Sequence, residues 1–300
     1  MNHACRFLTA FLLSLLLVSI FPAQSRQHAR GIDTEGTILT VTAVRENKKA
    51  ESIKIENLFL YENGVEQKIK NLSSDPSPAK IVILVDNSLT LPTSIEKMKA
   101  AAMEFAYEIF EGDQLFTIAY DETAEIIQEW TDDAKKMETA FGTFRKKGNP
   151  HLFDALNVSV KEILLPLMPG TRKTAVIIIG DGLDRGSKTE FDKVLSELQI
   201  QNVTVYGLQI PDRTGGAYRR DKPKASAVMN RLAEETGGKV FPFDEAQAAA
   251  KYICDELRRN RFLLSYQPTN TSTYDARRLF MVADEGITVR MKAAHPPNVK

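Results

Sequence analysis

Cysteine is nearly absent. Cys5 and Cys254 are the two in 300 residues, too few for a disulfide framework or a cysteine-based zinc site. Net charge is absent as well: 39 basic side chains balance 39 acidic ones, so no global field draws the chain toward nucleic acid or an anionic membrane. Glycine (16) and proline (13) stay at ordinary levels while 43% of residues are hydrophobic. That composition excludes collagen-like, low-complexity and disordered chains and leaves a globular protein. Beyond residue 25 no apolar run is long enough to cross a bilayer, which takes about 20 residues.

The one long apolar run, Phe7 to Ile20, follows Arg6 and precedes Phe21-Pro22-Ala23-Gln24-Ser25. A basic start, a hydrophobic stretch and small residues after it are expected of a cleavable secretory signal, here residues 1–25. Cys5 precedes the run instead of ending it, so a lipoprotein is not expected. Cleavage would leave a net charge of −1, 38 basic against 39 acidic residues, and no membrane span. Cys254 would remain as the single thiol, expected to pack as a small buried hydrophobe. An exported chain without disulfides is expected in a bacterial periplasm, at the cell envelope or in the medium.

Residues 37–44 are β-branched and bounded by Gly36, and Leu58 to Ile69 carries Asn63-Gly64 between two extended runs, a strong hairpin signal. Segment 32–72 is therefore expected to be a β segment, with 73–79 (Ser73-Ser74-Asp75-Pro76-Ser77-Pro78-Ala79) as a linker. From Lys80 the pattern alternates. Ile81-Val82-Ile83-Leu84-Val85 and Thr174 to Gly180 are fully apolar, as strands buried on both faces are. Gln114 to Tyr120 and Glu125 to Trp130 read as an antiparallel pair joined around Asp121-Glu122. Val203 to Gln209 and Lys239 to Phe241 are further strands. Helices are expected near 95–109, started by a capping box from Thr93 to Glu96, and near 133–144, 152–166, 187–199, 224–236 and 245–260. This predicts an α/β domain over 80–260: a doubly wound, mostly parallel sheet with helices on both faces. Residues 261–293 return to strands and are expected to pack with 32–72 as one small all-β unit, since neither piece has enough strands alone.

Open sheets of this kind bind ligands at the carboxyl ends of their strands. The first strand runs into Asp86-Asn87-Ser88-Leu89-Thr90 and the second into Asp181. Alternate spacing lets Asp86, Ser88 and Thr90 converge, and Asp181 can approach from the neighbouring strand. Taken singly, each residue is also a common turn or capping residue. Hard oxygen donors with no cysteine or histidine pair beside them suit Mg²⁺ or a similar cation.

With these motifs the chain resembles the von Willebrand factor type A domain family. Asp86-Asn87-Ser88-Leu89-Thr90 is similar to its Asp-x-Ser-x-Ser/Thr motif, and Ile177 to Gly182 to its later strand ending in a second aspartate. The flanking segments, with Glu62-Asn63-Gly64 and Phe262-Leu263-Leu264-Ser265-Tyr266, resemble secreted bacterial members. The resemblance implies a metal-ion-dependent adhesion site holding Mg²⁺ or Mn²⁺ through Asp86, Ser88, Thr90 and Asp181. In the family a partner's carboxylate fills the open position. The third loop departs from the pattern: before Leu152-Phe153-Asp154-Ala155 stands Pro150 where a threonine is expected, with Asn149 and His151 as possible substitutes.

The expected function is an exported binding or adhesion module, cation-dependent and weakened by Pro150, that engages a protein partner through an exposed acidic residue. The alternative is a metal-independent structural or assembly domain with a degenerate site. No enzyme is expected, since the chain has no Gly-rich phosphate loop, His-Glu-x-x-His or Gly-x-Ser-x-Gly, and Ser88 cannot act as the second acid of a phosphoaspartate hydrolase. Arg213, Arg219, Arg220 and Lys222 form a local basic cluster, expected to be a solvated loop.

Overall fold

The computed structural model describes residues 36–47, 52–168, 170–211, 224–270 and 274–297. The expected signal segment 1–25 and the basic cluster at 213–222 lie outside the described residues.

The central strand is β5 (Lys80–Asp86). In chain order the α/β part continues with α1 (Ile95–Glu108), β6 (Gln114–Tyr120), β7 (Ala124–Thr131), α2 (Ala134–Ala140), α3 (Leu152–Val158) and β8 (Thr174–Gly180). It closes with α4 (Phe191–Ile200), β9 (Thr204–Gln209), α5 (Ala225–Thr236), β10 (Val240–Pro242) and α6 (Ala246–Arg259). These strands form a six-stranded sheet in the order β10-β9-β8-β5-β6-β7, with β7 antiparallel and the rest parallel. The apolar run of β5 shows why. Ile81, Ile83 and Val85 face a core shared with Met98, Ala102 and Phe105 of α1 and Ile253 and Leu257 of α6. Val82 and Leu84 face the opposite core with Leu152 and Leu156 of α3, Leu198 of α4 and Leu232 of α5. A strand with period-two side chains and helices on both faces has no room for a polar residue until it ends.

The terminal segments contribute β1 (Thr37–Arg45), β2 (Leu58–Glu62), β3 (Val65–Gln67), β4 (Ile69–Ser74), β11 (Arg261–Tyr266), β12 (Arg277–Ala283), β13 (Ile287–Met291) and β14 (Ala294–His295). They pair across the whole chain length into two sheets, β13-β1-β11-β4 and β14-β12-β2-β3. Leu39, Val41, Leu58, Leu60, Leu264, Tyr266, Leu279 and Met281 form the core of this unit. Asn63 and Gly64 both adopt positive φ, 51° and 82°, the geometry that a two-residue hairpin between right-twisted strands demands.

Four local expectations need correction. The cap of α1 is Ser94, not Thr93; its hydroxyl accepts from Lys97 N–H. Strand β4 extends to Ser74, paired with Phe262, two residues into the expected linker. The helix expected over 152–166 changes character, giving way after α3 to a wider turn over Ser159–Leu164 and a tight one over Leu165–Leu167. Pro166 lies in the latter, has no N–H and cannot continue a regular helix. Helix α4 starts at Phe191 instead of 187, because Asp154 accepts from Lys188 and Thr189 N–H and holds those residues in a turn.

The β unit joins the α/β domain through buried charge. Glu256 accepts from Tyr206 Oη (2.6 Å) and Thr42 Oγ1 (3.2 Å) and pairs with Arg290. Arg261 reaches Thr42 and Thr204. Cutting Glu256 back to alanine leaves the Arg290 guanidinium without its buried carboxylate and the Tyr206 and Thr42 hydroxyls without their acceptor. Glu256→Ala should destabilise the protein by about 3–5 kcal/mol in denaturant titration.

Lys292 is also buried, and its amine donates to Gln199 O at 2.7 Å. Burial first, and the charge of Arg277 second, push this amine down to about 7, well below the roughly 10.4 of a free lysine. Between those values the unfolded chain binds the extra proton, so this residue's contribution to stability grows as pH rises from 7 toward 10 and fades on acidification. Urea midpoints at pH 7 and pH 9 should rise more for wild type than for Lys292→Met.

Candidate functional site

The sheet changes direction at β5, whose chain successor β6 lies on one side and whose later neighbour β8 lies on the other. Such a switch point opens a crevice at the carboxyl ends of the two strands. Asp86 closes β5 and Asp181 follows β8 directly. Val85 lies opposite Ile179, which sets Gly180 beside Asp86. A methyl group at Gly180 would fall 3.1 Å from Asp86 Cβ, 3.0 Å from Tyr120 Oη and 3.5 Å from Asp86 Oδ2. The missing side chain at Gly180 is therefore what lets the Asp86 carboxylate lie against the end of β8.

Each aspartate is anchored by its own loop. Asp86 Oδ1 accepts from Ser88 N–H at 2.8 Å and Asp181 Oδ1 from Leu183 N–H at 3.0 Å. Ile210 N–H donates to Gly180 O and Gln209 Nε2 to Asp181 O, both at 2.8 Å, so β9 clamps the Gly180-Asp181 turn. Asp86, Ser88 and Asp181 are buried, whereas Thr90 and Leu89 are exposed, Leu89 at 65%. Of the four expected donors, three are thus buried and Thr90 is exposed. Two carboxylates withdrawn from water in neighbouring loops call for a counter-charge or directed N–H groups.

The third loop is different. Pro150 is buried, and its carbonyl accepts from Arg185 N–H at 2.7 Å. Asn149 is exposed, its amide donating to Glu122 Oε1 at 3.1 Å. The His151 ring lies 4.0 Å from Asp154 and against Gly186, where an added Cβ would meet Nε2 at 2.8 Å. Both expected substitutes are thus engaged away from the Asp86 loop. Burial raises the Asp154 carboxyl, but the N–H groups of Lys188 and Thr189, the Thr189 hydroxyl and the nearby His151 outweigh it and hold it below the usual carboxylate range.

One residue escaped the reading of the motifs. Asp121 follows β6 as Asp86 and Asp181 end their strands, so three adjacent strand ends each carry a buried aspartate. The signal was present, an aspartate after an apolar strand, but Asp121-Glu122 also fits a hairpin turn. Tyr120 and Gln209 likewise carry no motif.

The donor set is hard oxygen, which fits a small hard cation. Among the described residues no three or more His, Cys, Asp or Glu side chains are grouped to hold a metal, so an ion here would rely on hydroxyls and water beside the two aspartates.

This is a doubly wound α/β domain whose candidate site lies at a strand-end switch point. Residues 81–183, about a third of the chain, match the von Willebrand factor type A domain. A von Willebrand factor type A structure from Catenulispora acidiphila shares the fold, with a TM-score of 0.51, 10% identity and coverage of 88% of this chain and 75% of that one. An aerotolerance-related membrane protein from Bacteroides fragilis aligns over 60% of this chain and 99% of its own at 19% identity and a TM-score of 0.47. BatB from Bacteroides thetaiotaomicron aligns over 60% and 97% at 18% identity and 0.47. No curated protein matches the sequence.

Gly182, at φ 81°, turns the chain so tightly onto α5 that an added Cβ would lie 2.4 Å from Ala225 O. Gly182→Ala should cost at least about 2 kcal/mol, combining the left-handed strain with a backbone clash. Thermal denaturation of the variant measures it.

Proposed function

We propose that the protein is a binding module that recognises a partner protein through a divalent cation at the strand-end site. Asp86, Ser88, Thr90 and Asp181 would hold Mg²⁺ or Mn²⁺. The ion would supply a Lewis-acidic position for an acidic side chain of the partner. The observation that carries this reading is the close approach of Asp86 to Gly180, the residue before Asp181, at adjoining strand ends. The surface there supports protein recognition: Leu89 and Arg185 are exposed. His151 faces Asp154 and Gly186, which supports binding over nucleophilic catalysis at Ser88, and we read the domain as non-catalytic. Residues 1–25 are read as an export signal, placing the protein in the bacterial envelope or outside the cell. No helix among the described residues is long and apolar enough to cross a membrane.

A second reading, a metal-independent assembly domain, draws on the third loop, where Pro150 O is already bonded to Arg185. The two readings separate cleanly. With Pro150 supplying no hydroxyl, Mg²⁺ should bind about tenfold more weakly than at a site with all its ligands. Calorimetric titration should still show heat at millimolar Mg²⁺ or Mn²⁺ for wild type and none for Asp86→Ala or Asp181→Ala. Capture of a partner from envelope extract should be lost in EDTA and in Asp86→Ala. Absence of heat, or capture equal with and without EDTA, selects the second reading.

A further inference from the structure

Asp121 has both carboxylate oxygens committed. Oδ1 accepts from Thr123 N–H (2.9 Å) and Thr123 Oγ1 (3.2 Å). Oδ2 accepts from Asn87 Nδ2 (3.2 Å) and faces Lys147 Nζ at 3.7 Å. A group so occupied is a poor cation ligand, although it lies one strand from Asp86. Its partners belong to the two loops that flank the site. Asn87 Nδ2 also donates to Arg145 O (2.9 Å), Lys147 N–H to Asn87 O (2.9 Å), Leu89 N–H to Gly148 O (3.2 Å) and His151 N–H to Asp121 O (2.9 Å). Lys147 Nζ lies 2.7 Å from Glu125, and Asn149 reaches Glu122. Gly148, at φ 60°, packs so closely that an added Cβ would lie 3.2 Å from Asp121 Cβ. Every residue from Arg145 to Pro150 except Gly148 and Lys146 is thereby tied by a stated bond to the β5 end, the β6 end or Arg185, and those two are tied through Leu89 N–H and Leu91 O.

We infer that Asp121 and Lys147 are positioning residues that lock the third loop, residues 145–151, against the Asp86 loop before any cation arrives. This deepens the proposed function and rests on it for its consequence: the cation enters a preformed rim, and partner recognition does not wait on loop ordering. The loop geometry that a ligand from that loop would impose through the metal is set here by a carboxylate and an ammonium.

Amide hydrogen exchange of the full chain tests this, in EDTA and in millimolar Mg²⁺. The amides of Leu89, Lys147 and His151 should be protected in EDTA and change by less than about twofold when Mg²⁺ is added. Each lost hydrogen bond is worth about 1 kcal/mol, so Asp121→Ala should speed their exchange about fivefold or more. Amides of α6 should keep their rates, and Asp121→Asn, which retains an acceptor for Thr123, should recover part of the protection. Where Asp121→Ala does not fold, Lys147→Met serves, since that side chain is half exposed. Asp86→Ala should remove Mg²⁺ binding and leave the loop protected. Loop amides protected only after Mg²⁺ is added, or unchanged in both Asp121→Ala and Lys147→Met, would overturn the assignment. Wild type that binds no Mg²⁺ yet keeps an Asp121-dependent, protected loop supports the assignment and removes the cation reading.

Discussion

Everything in this molecule is arranged around a strand that cannot show its chemistry along its length. From Ile81 to Val85 both faces of β5 are sealed by helices, so the first polar side chain it can afford is Asp86, at its end. The same constraint acts on β8, apolar through Ile179 and then Gly180-Asp181. Parallel pairing puts those two ends at the same edge of the sheet, and the reversal of strand order around β5 leaves a gap between the following loops. The site is therefore a by-product of burial: apolar packing removes every alternative position for the carboxylates.

The same geometry separates the site from the β unit. Thr204 starts β9, Lys173 precedes β8 and Asp75 precedes β5. These residues, with Arg261 and Glu256, form the contacts to the terminal strands. They sit at the amino ends of the parallel strands, while Asp86 and Asp181 sit at the carboxyl ends. A seven-residue strand spans about 20 Å, so the β unit holds the domain from the far side and leaves the loops around Leu89 and Asn149 clear. A polar seam of this kind is costly to break one partner at a time and contributes little over an apolar one when complete. Its effect is to fix which end of the domain faces outward.

The sheet and the aspartates at its strand ends were legible because they rest on strong signals: unbroken apolar runs, the Asn63-Gly64 turn, and oxygen side chains placed immediately after buried strands. The return of the chain to β structure after Arg261 was legible for the same reason. What was hidden depends on contacts remote in sequence. Ser74 reads as linker until it pairs with Phe262, and Ser187 to Glu190 read as helix until Asp154 takes the N–H groups of Lys188 and Thr189. Asp121 was the costliest omission. Locally it is a turn residue, and its amide and hydroxyl bonds to Thr123 are what a turn aspartate makes. Only the neighbouring loops, brought in by Asn87 and Lys147, give it a second task.

Pro150 brings these threads together. Judged by its side chain alone, it would remove a donor from the proposed cation site and weaken it. Judged by its surroundings, it is buried, rigid in φ and bonded through its carbonyl to Arg185, in a loop that Asp121 already holds. A rigid loop has less conformational entropy to lose when a ligand docks on it, and ordering one side chain costs about 0.5–1.5 kcal/mol. Losing one neutral oxygen ligand is of similar size when water can take the vacant position. Under the proposed function the two effects would oppose each other on partner affinity but not on cation affinity, where only the lost ligand would count. Under the proposed function, the third loop would shift part of the burden of recognition from the ion toward the protein surface around it, where Leu89 is exposed.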